Sequence, residues 1–355
     1  MRTLIISDLH LGSRLGRDVL RHREALDRLL AALDDLAVDR LVLLGDTVEL
    51  AEGRPRQAMA VAEPVLRALG AALGARDGEV VVVPGNHDAR LTRRWVRERG
   101  DALTLDTLVP HDASPTLAEL TSWLAPARVT VRAPGFWVSD RVWATHGHHL
   151  DRHLLPESAW GLPRRAVRSA PLGAVPVVGP AAYERRRRPR AGLEARLTRS
   201  LPRPLATLVD NVAELLRAWS MPSARQLQAH RAAPVMRPLL GRQMQRSAIP
   251  ALLHAAARIG VDADWIVFGH VHRSGPRAGD DAALWTGSDG RTRVANSGSW
   301  IYEPLLLHHR RAPHPYWPGG AIVVDDDGDP RAIGLLDDLD ARALFARVSP
   351  GSLGG

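Results

Sequence analysis

The sequence predicts an α/β fold in which a mainly parallel sheet is covered by helices on both faces. In the first ninety residues, short apolar runs alternate with stretches whose apolar residues recur at helical spacing. The runs are continuously apolar, which is typical of strands buried on both faces. Each run ends in polar residues, and open α/β sheets bind their ligands at the carboxyl ends of the strands.

The individual elements follow from this alternation. Strands are predicted at residues 3–7, 40–44, 79–83 and 264–268, with shorter ones near 293–295, 321–325 and 332–335. Helices are predicted at 18–36 and 58–73. Residues 128–144 alternate around Pro134 and Gly135, which predicts a hairpin with its turn at that dipeptide.

The chain divides into a discontinuous α/β domain, an insertion and a tail. The predicted domain covers residues 1–150 and 260–345, the mainly helical insertion covers residues 151–259, and a flexible tail covers residues 346–355.

The positive charge of the chain is concentrated in one segment. All 47 basic residues are arginine, which indicates coding bias, so their location carries more information than their number. Residues 151–250 hold 18 arginines against 6 acidic residues. This imbalance favours a surface that meets nucleic acid, an anionic membrane or a phosphorylated substrate, the alternative being a solvated helical face.

Composition excludes several classes of protein. With 45% hydrophobic and 24% charged residues, the chain is globular. Because cysteine is absent, disulfides, zinc–thiolate sites and cysteine nucleophiles are excluded. No apolar run approaches the roughly 20 residues of a transmembrane segment, and the N-terminus lacks a signal pattern. We therefore expect a cytoplasmic protein, with peripheral membrane contact through the insertion as an option.

Metal-competent side chains follow the predicted strands. They are Asp8, His10, Asp46, Asn86, His87, Asp88, His146, His270 and His272. Carboxylate and amide oxygens combined with imidazole nitrogens suit Mn²⁺, Fe²⁺, Co²⁺ or Zn²⁺. In extended backbone, residues i and i+2 point to the same side, so Asp8 and His10 could aim at one point, as could His270 and His272.

The number of donors predicts two metal ions. Seven candidate donors exceed what one ion needs. If Asp46 bridges two ions, each ion receives four protein ligands and keeps positions for water and substrate. Two such ions could clamp a phosphoryl group and generate hydroxide near neutral pH. Any one motif alone is weak evidence, but their conjunction after apolar runs is specific.

The ordered motifs resemble the signature of the calcineurin-like metallophosphoesterases. They are Asp8-Leu9-His10, Gly45-Asp46, Gly85-Asn86-His87-Asp88, His146-Gly147 and Gly269-His270-Val271-His272. The resemblance implies a four-layer αββα sandwich with a binuclear centre, Mn²⁺ being the first expectation. It implies that Asp8, His10 and His272 hold one metal, that Asn86, His146 and His270 hold the other, and that Asp46 bridges them.

The same resemblance implies the catalytic roles. His87 would protonate the leaving group or stabilise the transition state, with Asp88 setting its tautomer. Metal-bound hydroxide would attack phosphorus in line. In the run 145–149, His146 is preferred as the ligand because it follows the strand and precedes Gly147. His148 is the fallback, and His149 is expected to contact substrate or to be exposed.

The opening Ser7-Asp8-Leu9-His10-Leu11-Gly12 is similar to that of bacterial UDP-2,3-diacylglucosamine pyrophosphatases. Those enzymes carry a helical insertion that caps the site, which suggests that residues 151–259 form a lid that selects substrate. The apolar stripe predicted at 205–219 is expected to pack on the core, with lipid binding as the alternative. The uncharged segment 171–182 could touch a bilayer.

Three functions remain open at this point. The first is a phosphomonoesterase, diesterase or pyrophosphatase acting on a small, nucleotide-linked or lipid-linked substrate. The second is a DNA or RNA nuclease in which arginines 185–190 follow the backbone, although few aromatic residues accompany them. The third is a non-enzymatic scaffold, which ranks last because all the expected ligands are present.

Overall fold

Strands and helices alternate through the first half of the chain in the computed structural model. The structure describes residues 1–13, 16–51, 54–153, 176–185, 248–303, 307, 310–326 and 328–345. Within these ranges the strands are β1 (Arg2–Ile6), β2 (Arg40–Leu44), β3 (Glu79–Val83), β4 (Asp106–Leu108), β5 (Arg128–Ser139), β6 (Val142–Thr145), β7 (Trp265–Phe268), β8 (Arg293–Asn296), β9 (Gly320–Asp325) and β10 (Arg331–Gly334). The α-helices are α1 (Arg23–Asp35), α2 (Pro55–Gly74), α3 (Arg93–Arg99), α4 (Pro115–Trp123), α5 (Gly179–Arg185), α6 (Ile249–Ile259) and α7 (Ala341–Phe345). The α/β class and all the predicted strands outside the hairpin are confirmed.

The strands join in the order β10-β9-β1-β2-β3-β5-β6-β7-β8, and β4 pairs with β5 beside this path. β1, β2, β3 and the start of β5 are parallel. The long strand β5 serves two neighbours, because its first residues pair with β3 and its last ones pair antiparallel with β6. β6, β7 and β8 are again parallel. The carboxyl ends of five strands, β1, β2, β3, β6 and β7, therefore lead into the loops that carry the predicted ligands.

Apolar side chains divide between the two faces of the strands. Leu4 and Ile6 of β1 belong to a cluster that includes buried residues of α1, α2 and α4. Ile5 points the other way and shares a cluster with Val138 of β5 and Val267 of β7. A third cluster packs α6 against the opposite face of β6 and β7. Because both faces are covered, the strands are continuously apolar in sequence, as predicted.

Two predicted boundaries are wrong. The helix predicted at 18–36 begins only at Arg23, because His22 is extended and Val19–Arg21 forms a separate 3₁₀ turn. The hairpin does not turn at Pro134 and Gly135; β5 continues through them and reverses after Ser139. A Cβ on Gly135 would lie 2.4 Å from the Trp143 ring, so this glycine admits a cross-strand indole rather than making a turn.

Only part of the insertion is described. The predicted helix at 205–219, the arginines at 186–190 and the tail at 346–355 lie outside the described residues. The helix α5 lies inside them, and its Tyr183 packs against Ala255 and Ile259 of α6. No helix within the described ranges has the length and apolar character needed to cross a bilayer.

Candidate metal centre

The loops that follow the strands bring the predicted ligands together at one edge of the sheet. The ligand atoms of Asp8, His10 and His272 lie within 4.8 Å of one another, and the same holds for Asp46, His146 and His270. The seventh predicted ligand, Asn86, places Oδ1 at 3.1 Å from Nε2 of His146. These two groups coincide with the division into two metals that the resemblance implies.

The ligands reach this point through left-handed backbone rather than through extended strands. The φ angles are 55° at Asp8, 43° at His10, 51° at Asp46, 68° at His270 and 58° at His272. The expectation that the two Asp/His and His/His pairs converge because they are extended is therefore wrong. A non-glycine residue in this region costs about 1–3 kcal/mol, and such strain concentrates at functional sites.

Asp46 lies between the two groups of ligands. Its Oδ1 accepts a hydrogen bond from the backbone N–H of His87 at 2.7 Å. Its Oδ2 lies 3.1 Å from Nε2 of His146 and 3.6 Å from Nε2 of His10. One oxygen is thus anchored to the backbone while the other faces a histidine from each group, which is the arrangement a bridging carboxylate needs.

Asp8 is anchored in the same one-sided way. Its Oδ2 accepts hydrogen bonds from the Ser7 hydroxyl and, at 2.9 Å, from the backbone N–H of His270. Its buried Oδ1 finds no hydrogen-bond partner among the described residues and lies 3.3 Å from Nε2 of His272. Nε2 of His10 is likewise buried without a hydrogen-bond partner in the described ranges. Because burying such atoms is costly, the pair fits a site completed by a cation.

Hydrogen bonds at the far side of two rings fix their tautomers. His146 donates from Nδ1 to the carbonyl of Leu44 at 3.0 Å, and His10 donates from Nδ1 to Glu49 at 2.8 Å. Both Nε2 atoms are left as lone-pair donors toward the centre, as is usual for metal-bound histidine.

A third histidine of the group, His270, contacts an acidic residue that follows β6. Its Nε2 lies 3.1 Å from Oδ1 of Asp151.

Gly45 allows His146 to reach the centre. A Cβ at this position would lie 2.4 Å from two atoms of the His146 ring, and the residue has a φ of +87°. Both the close approach and the left-handed backbone require glycine. The Gly-Asp pair of the motif therefore has a physical reason: the glycine makes room for one candidate ligand, His146, and the aspartate beside it is another candidate.

The residue that orients His87 is Glu49, which corrects the prediction for Asp88. The Nδ1 atom of His87 donates to the Glu49 carboxylate, at 2.8 Å from Oε2 and 2.9 Å from Oε1. Asp88 accepts from the backbone N–H groups of Gly85 at 2.6 Å and Thr47 at 2.7 Å. Asp88 thus ties the loops after β2 and β3 together, and Glu49 joins His10 to His87.

The charges of the site favour ionised carboxylates. Burial alone would raise the pKa of Asp8, but the charges of His272 and His146 outweigh it and hold that pKa at about 2. Burial is also outweighed at Asp46, where His146 holds the pKa well below its usual value. The hydrogen bonds from His10 and His87 similarly bring the pKa of Glu49 to about 2. All three groups are therefore anionic near neutral pH, the form that binds cations.

The pKa values of Asp88 and His146 are raised rather than lowered. Burial, followed by the charge of Asp46, raises the pKa of Asp88 to about 6. Burial would lower the pKa of His146, but the charge of Asp46 and its hydrogen bond dominate and raise that pKa to about 10. In the absence of a cation, His146 therefore holds a proton that a metal would have to displace.

The structure places His148 and His149 outside the candidate centre, and His149 is not exposed as the sequence suggested. His146 lies at the centre, whereas the fallback His148 belongs to a separate group with His149 and Glu184. His149 is not exposed, since only 4% of its surface is accessible, and its Nε2 lies 2.8 Å from Oε1 of Glu184.

The sequence predictions missed three acidic residues. Asp151 contacts His270, Glu184 contacts His149, and Glu49 contacts His10 and His87. Only Glu49 had a local signal, because it follows Asp46 by three residues within the same predicted loop. The other two lie in the insertion, whose packing cannot be read from periodicity.

Comparison with known proteins agrees with this geometry. The family model for calcineurin-like phosphoesterases matches residues 1–166, a range that includes Asp8, His10, Asp46, Asn86 and His146. No curated protein matches the sequence. The match shows that residues 1–166 are similar to the calcineurin-like phosphoesterases, a family of metal-dependent phosphoester hydrolases, and the converging side chains support this relationship.

Proposed function

We propose that this protein hydrolyses a phosphate monoester, a phosphate diester or a pyrophosphate at a centre of two divalent cations. The residues proposed to hold them are Asp8, His10 and His272 for one cation, Asn86, His146 and His270 for the other, and Asp46 for both. The observation that carries the proposal is the position of Asp46 Oδ2 between Nε2 of His10 and Nε2 of His146. The donor set suits Mn²⁺ first, with Fe, Zn or Co as other candidates.

The chemistry depends on charge placement. Bound divalent cations would neutralise phosphoryl oxygens and activate water as the nucleophile. The Nε2 atoms of His10 and His146 are held in the ligating tautomer by the bonds to Glu49 and Leu44. The anchored oxygens of Asp8 and Asp46 prevent both carboxylates from turning away. These residues therefore form a preorganised, negatively charged site that needs little rearrangement to bind cations.

His87 is proposed to give a proton to the leaving oxygen. Its ring packs edge to face against His10, with centroids 4.6 Å apart, and 24% of its side chain is accessible. The ionised Glu49 at Nδ1 stabilises the imidazolium form and leaves Nε2 for the substrate. A protonated ring at this place would also offset negative charge in the transition state.

We also propose the family's four-layer αββα arrangement for the fold. It is supported by the three apolar clusters. One lies between the first strands and the helices α1, α2 and α4, another between the first and last strands, and the third between β6–β7 and α6. The turn of β5 from β3 to β6 is consistent with one sheet passing into a second that faces it.

The insertion is proposed to select the substrate. α5 lies close to the centre, because its Glu184 contacts His149, three residues after His146. Val177 and Val178, just before α5, are two of the four exposed large apolar side chains among the described residues. Exposed apolar side chains at this place favour a lipid-linked substrate or contact with an anionic membrane.

A screen of phosphoester classes tests the proposed activity. The full chain would be stripped of metal, reloaded with Mn²⁺ and assayed on p-nitrophenyl phosphate, bis-(p-nitrophenyl) phosphate, UDP-sugar lipids, plasmid DNA and RNA. We expect metal-dependent turnover of at least one small or lipid-linked ester. Cleavage confined to DNA or RNA would favour the nuclease alternative, and no turnover of any ester would favour a scaffold.

A further inference from the structure

A second group of ligating side chains lies beside the candidate metal centre, where α5 contacts the residues that follow β6. His148, His149 and Glu184 each offer one ligand atom, and these atoms lie within 4.8 Å of one another. The rings of His148 and His149 have centroids 4.3 Å apart. Nε2 of His149 lies 2.8 Å from Oε1 of Glu184. The proposed hydrolysis uses none of these three as metal ligands, and His148 entered the motif analysis only as the fallback for His146.

We propose that His148, His149 and Glu184 form a separate site for a zinc-like divalent cation, which fastens α5 to the α/β domain. Two imidazole nitrogens and one carboxylate oxygen are a donor set that zinc accepts, with solvent in the fourth position. This set contains less oxygen than the candidate centre, so it should favour zinc over manganese. The proposal does not depend on the hydrolytic function.

The packing of this group resembles that of the candidate centre. In the centre, His146 and Asp46 are 3.1 Å apart, and His272 and Asp8 are 3.3 Å apart. The His149–Glu184 pair has the same kind of contact, and its side chains are only 5% and 14% accessible. A third donor, His148, adjoins the pair, whereas a histidine–carboxylate ion pair alone needs no second imidazole.

The surroundings hold Glu184 in place. Its neighbour Tyr183 is 3% exposed, and its hydroxyl lies 2.7 Å from Nε2 of His153. His153 in turn packs edge to face against His254 of α6, with centroids 4.5 Å apart. Because these contacts link α5 to His153 and through it to α6, the carboxylate of Glu184 is presented to the two histidines by a supported backbone.

There is room for a solvent ligand. A cavity of about 20 Å³ is lined by His148 and Glu184 among other residues, which is enough for about one water molecule. Arg93 lines the same cavity. A cation near this guanidinium would depend on the negative charge of Glu184, so neutralising that residue should remove the cation.

Metal content of the full chain tests the site. We expect Glu184→Gln and His149→Gln to bind one zinc fewer per chain than the unaltered protein after equilibration with Zn²⁺ and removal of excess. The matched control is Glu98→Gln, an exposed glutamate of α3 that pairs with Arg94, and it should keep the full zinc content. Equal zinc content in Glu184→Gln and in the control would overturn the proposal.

The comparison is repeated with Asp46→Ala in every chain, so that the result does not depend on the candidate centre. The difference of one zinc should persist there, and its disappearance would mean that Glu184 acts only through that centre. Hydrogen exchange gives a second readout that does not require counting ions. Zn²⁺ should slow exchange in residues 179–185 of the unaltered chain but not of Glu184→Gln, and the same slowing in both would contradict the site.

Discussion

His10 and His87 pack edge to face with ring centroids 4.6 Å apart, and both donate from Nδ1 to the carboxylate of Glu49. The first ring is a candidate metal ligand, and the second is the candidate proton donor. Glu49 therefore links the candidate metal ligand and the candidate proton donor through one buried charge. Its own pKa of about 2 results from these two hydrogen bonds, which outweigh the effect of burial.

Glu49→Gln should lower kcat by about 10- to 100-fold, the usual effect of losing a partner that orients a metal-bound histidine. The amide keeps the shape of the side chain but cannot accept from both rings with full charge. The imidazolium form of His87, which acts as the proton donor, would lose its stabilisation, so the alkaline limb of the pH profile should shift to lower pH. Steady-state kinetics from pH 5 to 9 with saturating Mn²⁺ would measure both effects.

A suitable control is Glu63→Gln, which removes an exposed glutamate that pairs with Arg67 on α2. Exposed pairs of this kind contribute at most about 1 kcal/mol to stability, so its kinetics should match those of the unaltered chain. If Glu49→Gln also had an unaltered kcat and pH profile, the coupling role of Glu49 would be wrong.

Asp46→Ala and His87→Ala should separate metal binding from proton transfer. Removing Asp46 takes away the oxygen between the two groups of ligands, so the chain should lose most of the metal bound at the centre. Removing His87 leaves all seven candidate ligands, so metal should stay while kcat falls by about 100-fold or more. The metal content and the kcat of both variants would be measured on the same preparations. Equal metal loss in both variants would contradict the division of roles.

The sequence predicts the strands of the described fold well, and the reason is physical. Parallel strands buried on both faces must be apolar at every position, so residues 40–44 and 79–83 could be bounded to the residue. The ligands follow because such strands end at the same edge of the sheet. β4, α3 and α4 escaped prediction, since β4 has three residues and none fully buried, and α3 buries only Val96.

The missed parts of the site depend on contacts between distant segments. Glu49 meets His87 across 38 positions, and Glu184 meets His149 across 35, so no local pattern can reveal either pair. Asp88 illustrates the opposite error. It adjoins His87 in sequence, yet the chain turns its carboxylate to the amides of Gly85 and Thr47. Adjacency in sequence therefore predicted the wrong partner for the histidine.

Gly45→Ala should weaken metal binding by displacing His146. The new Cβ would lie 2.4 Å from the ring, so the ring must leave the position in which its Nε2 lies 3.1 Å from Asp46 Oδ2. The matched control is Gly279→Ala, because Gly279 has a φ of +90° but a Cβ added there would meet no atom within 4 Å. Both variants bear the backbone cost of about 1–2 kcal/mol, and only Gly45→Ala should lose Mn²⁺ affinity in a calorimetric titration. Equal losses in both would attribute the effect to the backbone.

Metal binding should release protons and strengthen as pH rises. Without a cation, the charge of Asp46 outweighs burial and raises the pKa of His146 to about 10, and the charge of Asp8 likewise outweighs burial and raises that of His272. His146 is therefore protonated at pH 7, the raised pKa of His272 favours the protonated form of that ring in the same direction, and each ring must become neutral to ligate. Each proton released makes the affinity rise about tenfold per pH unit below the pKa of that group. Calorimetric titrations of Mn²⁺ in two buffers of different ionisation enthalpy would give the proton count. A heat that is the same in both buffers at pH 7 would mean that His146 is already neutral before the cation arrives.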